Sequence, residues 1–226
     1  MVNEVNVIAI DGPSGSGKST IAKIIAEKLN LVYLDTGAMF RAIAYVLDEK
    51  KIAVTDDNKI KYFLETINFN YQKDENCLVE INGVNLTESI RQHFVSGLAS
   101  KYSQVKSVRE FLKHIQREIA STRPSILDGR DIGTIIFPDA ILKIYLVADA
   151  EIRAKRRLSQ LTEQNSNETY DLKKILEDII ARDYADQNRA IAPLKKAEDA
   201  IEFDSTKLSV DELTHEIIKI YKNRTH

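Results

Sequence analysis

The chain has no tryptophan, a single cysteine, four prolines and two methionines among its 226 residues. One cysteine excludes an intrachain disulfide, and a reducing compartment is the easier setting for such a chain. Cys77 falls in an apolar, strand-like stretch, which predicts a packed thiol rather than a reactive one. The four histidines, His93, His114, His215 and His226, share no paired spacing with each other or with Cys77, so no zinc site is expected and all four read as surface or structural. Neither sign of charge dominates. The formal net charge is -2, which provides no overall positive field to draw nucleic acid or an anionic membrane, and any anion must be held by local clusters. No run approaches the ~20 apolar residues of a membrane span. The opening Met1-Val2-Asn3-Glu4 lacks the basic run of a targeting segment, and a cytoplasmic protein is expected. With 43% hydrophobic and 29% charged residues, the composition is that of a globular chain with a sizeable core, one main domain and small insertions.

What is present is alternation. Residues 5–10 form a short apolar run ending at Asp11-Gly12-Pro13, and beyond it Ile21, Ile24, Ile25 and Leu29 recur at helical spacing, which predicts strand, loop and helix. Residues 31–34 read as a second strand and 38–47 as a helix. Residues 125–128, 142–147 and 200–203 are further strands, five in all, and their alternation with helical segments predicts a parallel sheet with helices on its faces. Between them, 67–71 and 78–81 alternate at period two beside Asn82-Gly83, a tight-turn sequence, so a small antiparallel insert is expected. Val108, Phe111, Leu112, Ile115 and Ile119 then mark an amphipathic helix that returns the chain to the core. A basic, helix-prone stretch follows from 150, and the polar segment 160–170 is expected to move. Leu172, Ile175, Leu176, Ile179 and Ile180 predict a helical stripe, with Arg182, Asp186 and Arg189 along one edge. Ser209 and Glu212 form a capping box before the last helix, which buries Leu213, Ile217, Ile220 and Tyr221.

One motif carries chemistry outright. Gly12-Pro13-Ser14-Gly15-Ser16-Gly17-Lys18-Ser19 matches G-x-x-x-x-G-K-[ST] at every fixed position, after a predicted strand and before a predicted helix. Its glycines let backbone N–H groups wrap an anion, the helix N-terminus favours negative charge, Lys18 reaches the outer phosphates and Ser19 is placed to ligate magnesium. The guanine-reading Asn-Lys-x-Asp of GTPases is absent, as is the basic track of a translocase. Arginines gather elsewhere: Arg41, Arg109, Arg123, Arg130, Arg153, Arg156, Arg157, Arg182 and Arg189 are suited to clamp a second phosphate-bearing substrate. Arg130 follows a strand expected to be buried, where active-site residues of open parallel sheets collect. Asp128, at that strand's end, is either an orienter of magnesium waters or a turn residue before Gly129. On the residues alone, a kinase for another small acceptor, a nucleotide-dependent switch and an RNA-binding module stay open.

Five stretches then fall into one pattern. They are Ile10-Asp-Gly-Pro-Ser-Gly-Ser-Gly-Lys-Ser19, Tyr33-Leu-Asp-Thr-Gly-Ala-Met-Phe-Arg41, Asp128-Gly-Arg-Asp-Ile-Gly-Thr134 with Phe137-Pro-Asp139, Arg182 through Arg189-Ala-Ile-Ala-Pro-Leu194, and Ala197-Glu-Asp-Ala200 with Asp204-Ser-Thr206. With these the chain resembles the bacterial-type cytidylate kinases over nearly its whole length. It departs at Phe40, where that family more often has tyrosine, keeping the ring without the hydroxyl. The resemblance implies a P-loop NTPase fold of the α/β class: a five-stranded parallel sheet flanked by helices, with a small antiparallel acceptor-binding insert and a helical lid. The core would comprise 1–62, 106–150 and 190–226, the insert about 63–105 and the lid about 151–189. The implied activity is in-line transfer of the γ-phosphoryl group of ATP, with Mg2+, to CMP or dCMP. Residues 12–20, Thr20 included, would bind ATP, with Arg157 meeting its phosphates from the lid. Arg41, Arg130 and Arg189 would hold the acceptor phosphate, while Thr36, Ser100, Arg109 and Asp131 would read the cytosine. Arg182 and Asp186 would approach the ribose, and Lys18, Arg130, Arg157 and Arg189 would act in the transfer itself. Nothing in the resemblance calls for nucleic acid, membrane or an obligatory protein partner.

Overall fold

A computed structural model describes residues 6–164 and 169–225. Residue 5 of the first predicted strand, residues 165–168 of the polar segment 160–170, His226 and the side chain of His93 lie outside the described residues. In chain order the elements are β1 (Val7–Asp11), α1 (Lys18–Leu29), β2 (Val32–Asp35), α2 (Thr36–Glu49), α3 (Asp57–Thr66), β3 (Phe69–Asp74), β4 (Cys77–Ile81), β5 (Val84–Asn85), α4 (His93–Tyr102), α5 (Lys106–Ala120), β6 (Ser125–Gly129), β7 (Leu142–Val147), α6 (Ala150–Gln164), α7 (Leu172–Asn188), β8 (Ile201–Asp204) and α8 (Val210–Thr225). A single π-helical turn, Ile132–Ile136, follows β6.

The five predicted strands form one parallel sheet in the order β2-β6-β1-β7-β8. All five residues of β1 are buried, and Ile8 lies opposite Ile126 of β6 on one side and Leu142 of β7 on the other. A strand paired on both edges and covered on both faces needs an unbroken apolar run, which is why residues 7–10 carry no alternation. Ile21 and Ile25 of α1 and Leu213, Ile217 and Tyr221 of α8 join Ile8, Ile10 and Ile144 in one apolar cluster. The capping box at the start of α8 is formed as expected: Ser209 Oγ accepts from the Glu212 amide at 3.2 Å, and the Ser209 amide donates to Glu212 Oε2 at 2.8 Å. From β1 the chain runs to β2 and β6 on one side and later to β7 and β8 on the other. Such a reversal leaves a crevice at the carboxyl ends of the strands.

The chain separates into two units, Met1–Leu34 with Ala120–His226, and Asp35–Ile119. The second unit is wider than the insert of about 63–105 implied by the resemblance. It contains α3, capped by Asp56, and α4, two helices that the sequence reading did not mark. The apolar triplet of α3, Ile60, Phe63 and Leu64, spans little more than one turn, too short a period to stand out. The antiparallel sheet β3-β4-β5 is present, with Asn82 and Gly83 at φ of 51° and 81° as a tight turn between β4 and the two-residue β5. Cys77 is buried in β4, as expected of a packed thiol. In α7 the predicted stripe is narrower than its pattern: Ile175 and Ile179 are buried, while Leu172 and Ile180 are exposed. Ile175 and Ile179 share a small cluster with Ala154 and Leu161 of α6, with Tyr170 packed beside it, and a cluster of that size covers a narrow strip. No helix among the described residues is long and apolar enough to cross a membrane.

Candidate active site

The glycine-rich loop leaves the sheet at the carboxyl end of β1. Gly12 has φ of 150°, and a Cβ there would collide with the Leu146 carbonyl oxygen of β7, so any larger residue would displace the loop from the strand. Gly17 ends the loop as the N-cap of α1 in the left-handed region, at φ of 92°, with no side-chain cap. The first turn of α1 contains no acidic residue, and the partial positive charge of a helix N-terminus favours an anion there. Lys18 is buried and donates from Nζ to the Pro13 carbonyl at 2.6 Å and to Ser16 Oγ at 3.4 Å. Burial pushes its ammonium well below the ordinary lysine value, Arg130 pushes the same way, and Asp128 and Asp11 oppose them. An anion arriving beside this ammonium favours its charged form and opposes the effect of burial.

Ser19 donates from Oγ to Asp128 Oδ2 at 2.8 Å, and Tyr33 donates its hydroxyl to Asp128 Oδ1 at 2.7 Å. The carboxylate at the end of β6 thus touches the loop hydroxyl directly, which residue spacing did not reveal. Nothing in the sequence points to this role for Tyr33. Asp11 stands at the end of β1. Its two carboxylate oxygens accept from the amides of Ile132 and Gly133, at 2.8 and 2.7 Å, and so pin the turn that follows Arg130 and Asp131. Burial pushes this carboxyl up to about 7; the two amide donors hold it down, Asp131 raises it further and Lys18 lowers it.

Past β6 the charged residues pair. Arg130 donates from Nε to Asp186 Oδ2 at 2.9 Å, and Arg189 lies 3.3 Å from Asp131 and 3.8 Å from Asp186. Asp131, Asp186 and Arg189 are all buried, and Arg182 is half-buried beside them in α7. Burial alone would raise the Asp186 carboxyl, but Arg130 and Arg182 hold it below its ordinary value. Arg157 is half-buried in α6, and Thr20 of α1 is exposed. Arg153 is buried, bonded to Asp183 at 2.6 Å and to the Ser14 carbonyl at 3.0 Å.

The unit Asp35–Ile119 holds the other predicted acceptor residues. Thr36 is buried at the start of α2, which Asp35 caps by accepting from the Ala38 amide at 2.8 Å, and Arg41 pairs with Asp35 at 3.2 Å. Arg109, buried in α5, donates to the Ser103 carbonyl at 3.0 Å and lies over the Phe40 ring, 5.4 Å from its centroid. The ring kept at the departing position therefore supports a predicted base-reading arginine. Ser100 is half-buried in α4, and its carbonyl accepts from Ser103 Oγ at 2.9 Å.

The family model described as cytidylate kinase matches residues 8–223. The chain is 45% identical to a cytidylate kinase of Clostridium tetani, over 96% of this chain and 94% of that protein. It is also 45% identical to a cytidylate kinase of Fusobacterium nucleatum, over 94% and 95%. Among solved structures, an uncharacterized protein from Eubacterium ventriosum superposes with a TM-score of 0.52 at 17% identity, over 97% of this chain and 99% of that one, a likeness of fold. A phosphate loop on a five-stranded parallel sheet, and relatives aligned nearly end to end, lead to one assignment: the chain belongs to the cytidylate kinase family.

Proposed function

We propose that this protein transfers the γ-phosphoryl group of ATP to CMP, and also to dCMP, yielding ADP and the corresponding diphosphate. The observation that carries the reading, beyond family membership, is the network of Arg130, Asp131, Asp186 and Arg189. Each arginine fork is held by an acid, so the guanidinium planes are fixed before a phosphate arrives and little side-chain freedom is lost on binding. Phosphoryl transfer asks mainly for positioning and for neutralisation of charge on the moving group. Lys18 and the loop amides serve the donor side; Arg130, Arg189 and Arg41 serve the acceptor phosphate, and Arg157 meets the donor phosphates from α6. Thr36, Ser100, Arg109 and Asp131 read the base, and Arg182 and Asp186 approach the ribose. Residues 151–189 act as a lid and about 63–105 as the acceptor insert; the separate apolar cluster of α6 and α7 supports the first of these.

Magnesium fits the residues present. The Ser19 hydroxyl is an oxygen ligand of the required kind, and Asp128, already in contact with it, can accept from metal-bound water. Bound there, the ion would neutralise charge on the outer phosphates.

Base choice provides the test. Cytosine offers an amino donor at position 4, where uracil shows a carbonyl acceptor; the Asp131 carboxylate accepts only, and Arg109 donates only. Initial rates with CMP, dCMP, UMP and AMP at saturating ATP and magnesium should favour CMP over UMP by ~10²-fold or more in kcat/KM. Asp131→Asn adds a donor at the same shape and should narrow that ratio. A ratio unchanged while both values fall together would remove Asp131 from base reading, and equal rates with all four acceptors would sink the assignment.

A further inference from the structure

The outer surface of the phosphate loop is held by residues that the proposed chemistry leaves unused. Arg153 and Arg156 stand three residues apart on α6 and so point to the same side of that helix. Arg153 crosses behind the loop, so close that a Cβ on Gly15 would lie 3.2 Å from its own Cβ. Its guanidinium donates to the Ser14 carbonyl at 3.0 Å, to the Ala148 carbonyl at 2.9 Å and to Asp183 at 2.6 Å. Two residues along the loop, the Ser16 carbonyl accepts from Ser205 Oγ at 2.8 Å. Ser205 is buried in turn and gripped by Arg156, at 3.1 Å on its hydroxyl and 2.8 Å on its carbonyl. Alternate carbonyls of the loop are therefore anchored by side chains from α6 and from the loop after β8.

In a planar trans peptide the C=O and the following N–H point in opposite directions. Anchoring the Ser14 carbonyl aims the Gly15 amide away from Arg153, and anchoring the Ser16 carbonyl aims the Gly17 amide away from Ser205. Glycine at both positions would otherwise let these peptides flip, since φ of 77° and 92° is only one of its accessible states. We propose that Arg153 and Ser205, the latter held by Arg156, are positioning residues for the nucleotide: they grip the back of the phosphate loop and so turn its Gly15 and Gly17 amides toward the donor phosphates. These two arginines act through the loop rather than on ATP. Asp183 ties the same grip to α7, which also carries Arg182 and Asp186. The inference rests on reading the loop as the ATP site, and not on the identity of the acceptor.

The experiment measures affinity for a non-hydrolysable ATP analogue with magnesium, and separately for CMP, by calorimetry on the wild type, Ser205→Ala and Arg153→Ala. Ser205→Ala removes one hydroxyl while Arg156 keeps the Ser205 carbonyl, so it leaves no buried charge unpaired and should fold even if Arg153→Ala does not. Loss of one such hydrogen bond is worth about 3- to 10-fold, so the analogue should bind that much more weakly to Ser205→Ala while CMP affinity stays within about twofold. Arg153→Ala, where it folds, should lose about tenfold or more for the analogue, since its bonds are charge-assisted. Unchanged analogue affinity in Ser205→Ala would overturn the proposal, even with a loss in Arg153→Ala, because Arg153 would then be touching the nucleotide itself. Parallel weakening of both ligands would overturn it as well, marking a general loss of structure. A wild type that binds the analogue yet fails to phosphorylate CMP would end the acceptor assignment while leaving the grip to be judged on binding alone.

Discussion

Asp11 stands between opposing influences. Two backbone donors reach its oxygens, which suits a carboxylate, while burial favours the neutral acid and pushes its pKa up to about 7. Asp131, Lys18 and Tyr145 face it electrostatically, and the side chain of Lys143 packs on Gly133 beside it. Because the folded state holds a proton that the unfolded chain releases near pH 3.8, stability from this group is fully present below that value and is lost as pH rises toward 7. We expect the stability of the wild type relative to Asp11→Asn to fall between pH 4 and pH 7, by at most about 4 kcal/mol, and to level off above. Urea unfolding of both proteins across that range reads the difference directly, and a flat difference would place the Asp11 pKa at its ordinary value. Of this residue the sequence showed only its place after an apolar run. Its protonation depends on what packs around it, and the amides that reach it come from residues more than a hundred positions away.

At the scale of elements, the strands were the most legible part. Five apolar runs bounded by turn residues became five strands, the edges moving by one or two residues, because a buried parallel strand needs little beyond local apolar content. Helices α3 and α4 are not legible in the sequence, since short helices with few periodic positions resemble loops. The buried stripe of α7 is narrower than its periodicity, because periodicity shows which residues share a face and not how much of that face a neighbour covers. This matters for dynamics. The apolar contact between α6 and α7 is the small cluster of Ala154, Leu161, Ile175 and Ile179, while β1, β6 and β7 lie in the interior of the sheet. Amides of α6 and α7 should therefore exchange hydrogen much faster than those of β1, β6 and β7, and should slow when CMP and an ATP analogue are both present. Hydrogen exchange read by mass spectrometry would count against a lid if the two groups of amides were equally protected, or if the ligands changed nothing in α6 and α7.

For the whole molecule, ligands that bind the folded chain and not the unfolded one should stabilise it. At a free ligand concentration of 100 times Kd, one bound ligand adds about 2.7 kcal/mol, which for a chain of this size raises Tm by about 5–10 °C. Thermal melts with CMP, with an ATP analogue and with both should each show such a rise, larger for the pair; CMP without effect at any concentration would contradict its assignment as acceptor. Membership of the family, the phosphate loop and the parallel strands were determined by the sequence itself, because each is written in contiguous residues: a fixed spacing, an apolar run, a turn pair. Contacts between distant residues were decided only by the tertiary structure. Ser19 meets Asp128 across 109 positions, Arg153 meets Ser14 across 139, and Ser205 meets Ser16 across 189. Spacing along the chain cannot reveal these pairs, since they exist only once the sheet has placed the ends of β1, β6, β7 and β8 side by side, and the same burial shifts the pKa of Asp11 up and that of Lys18 down.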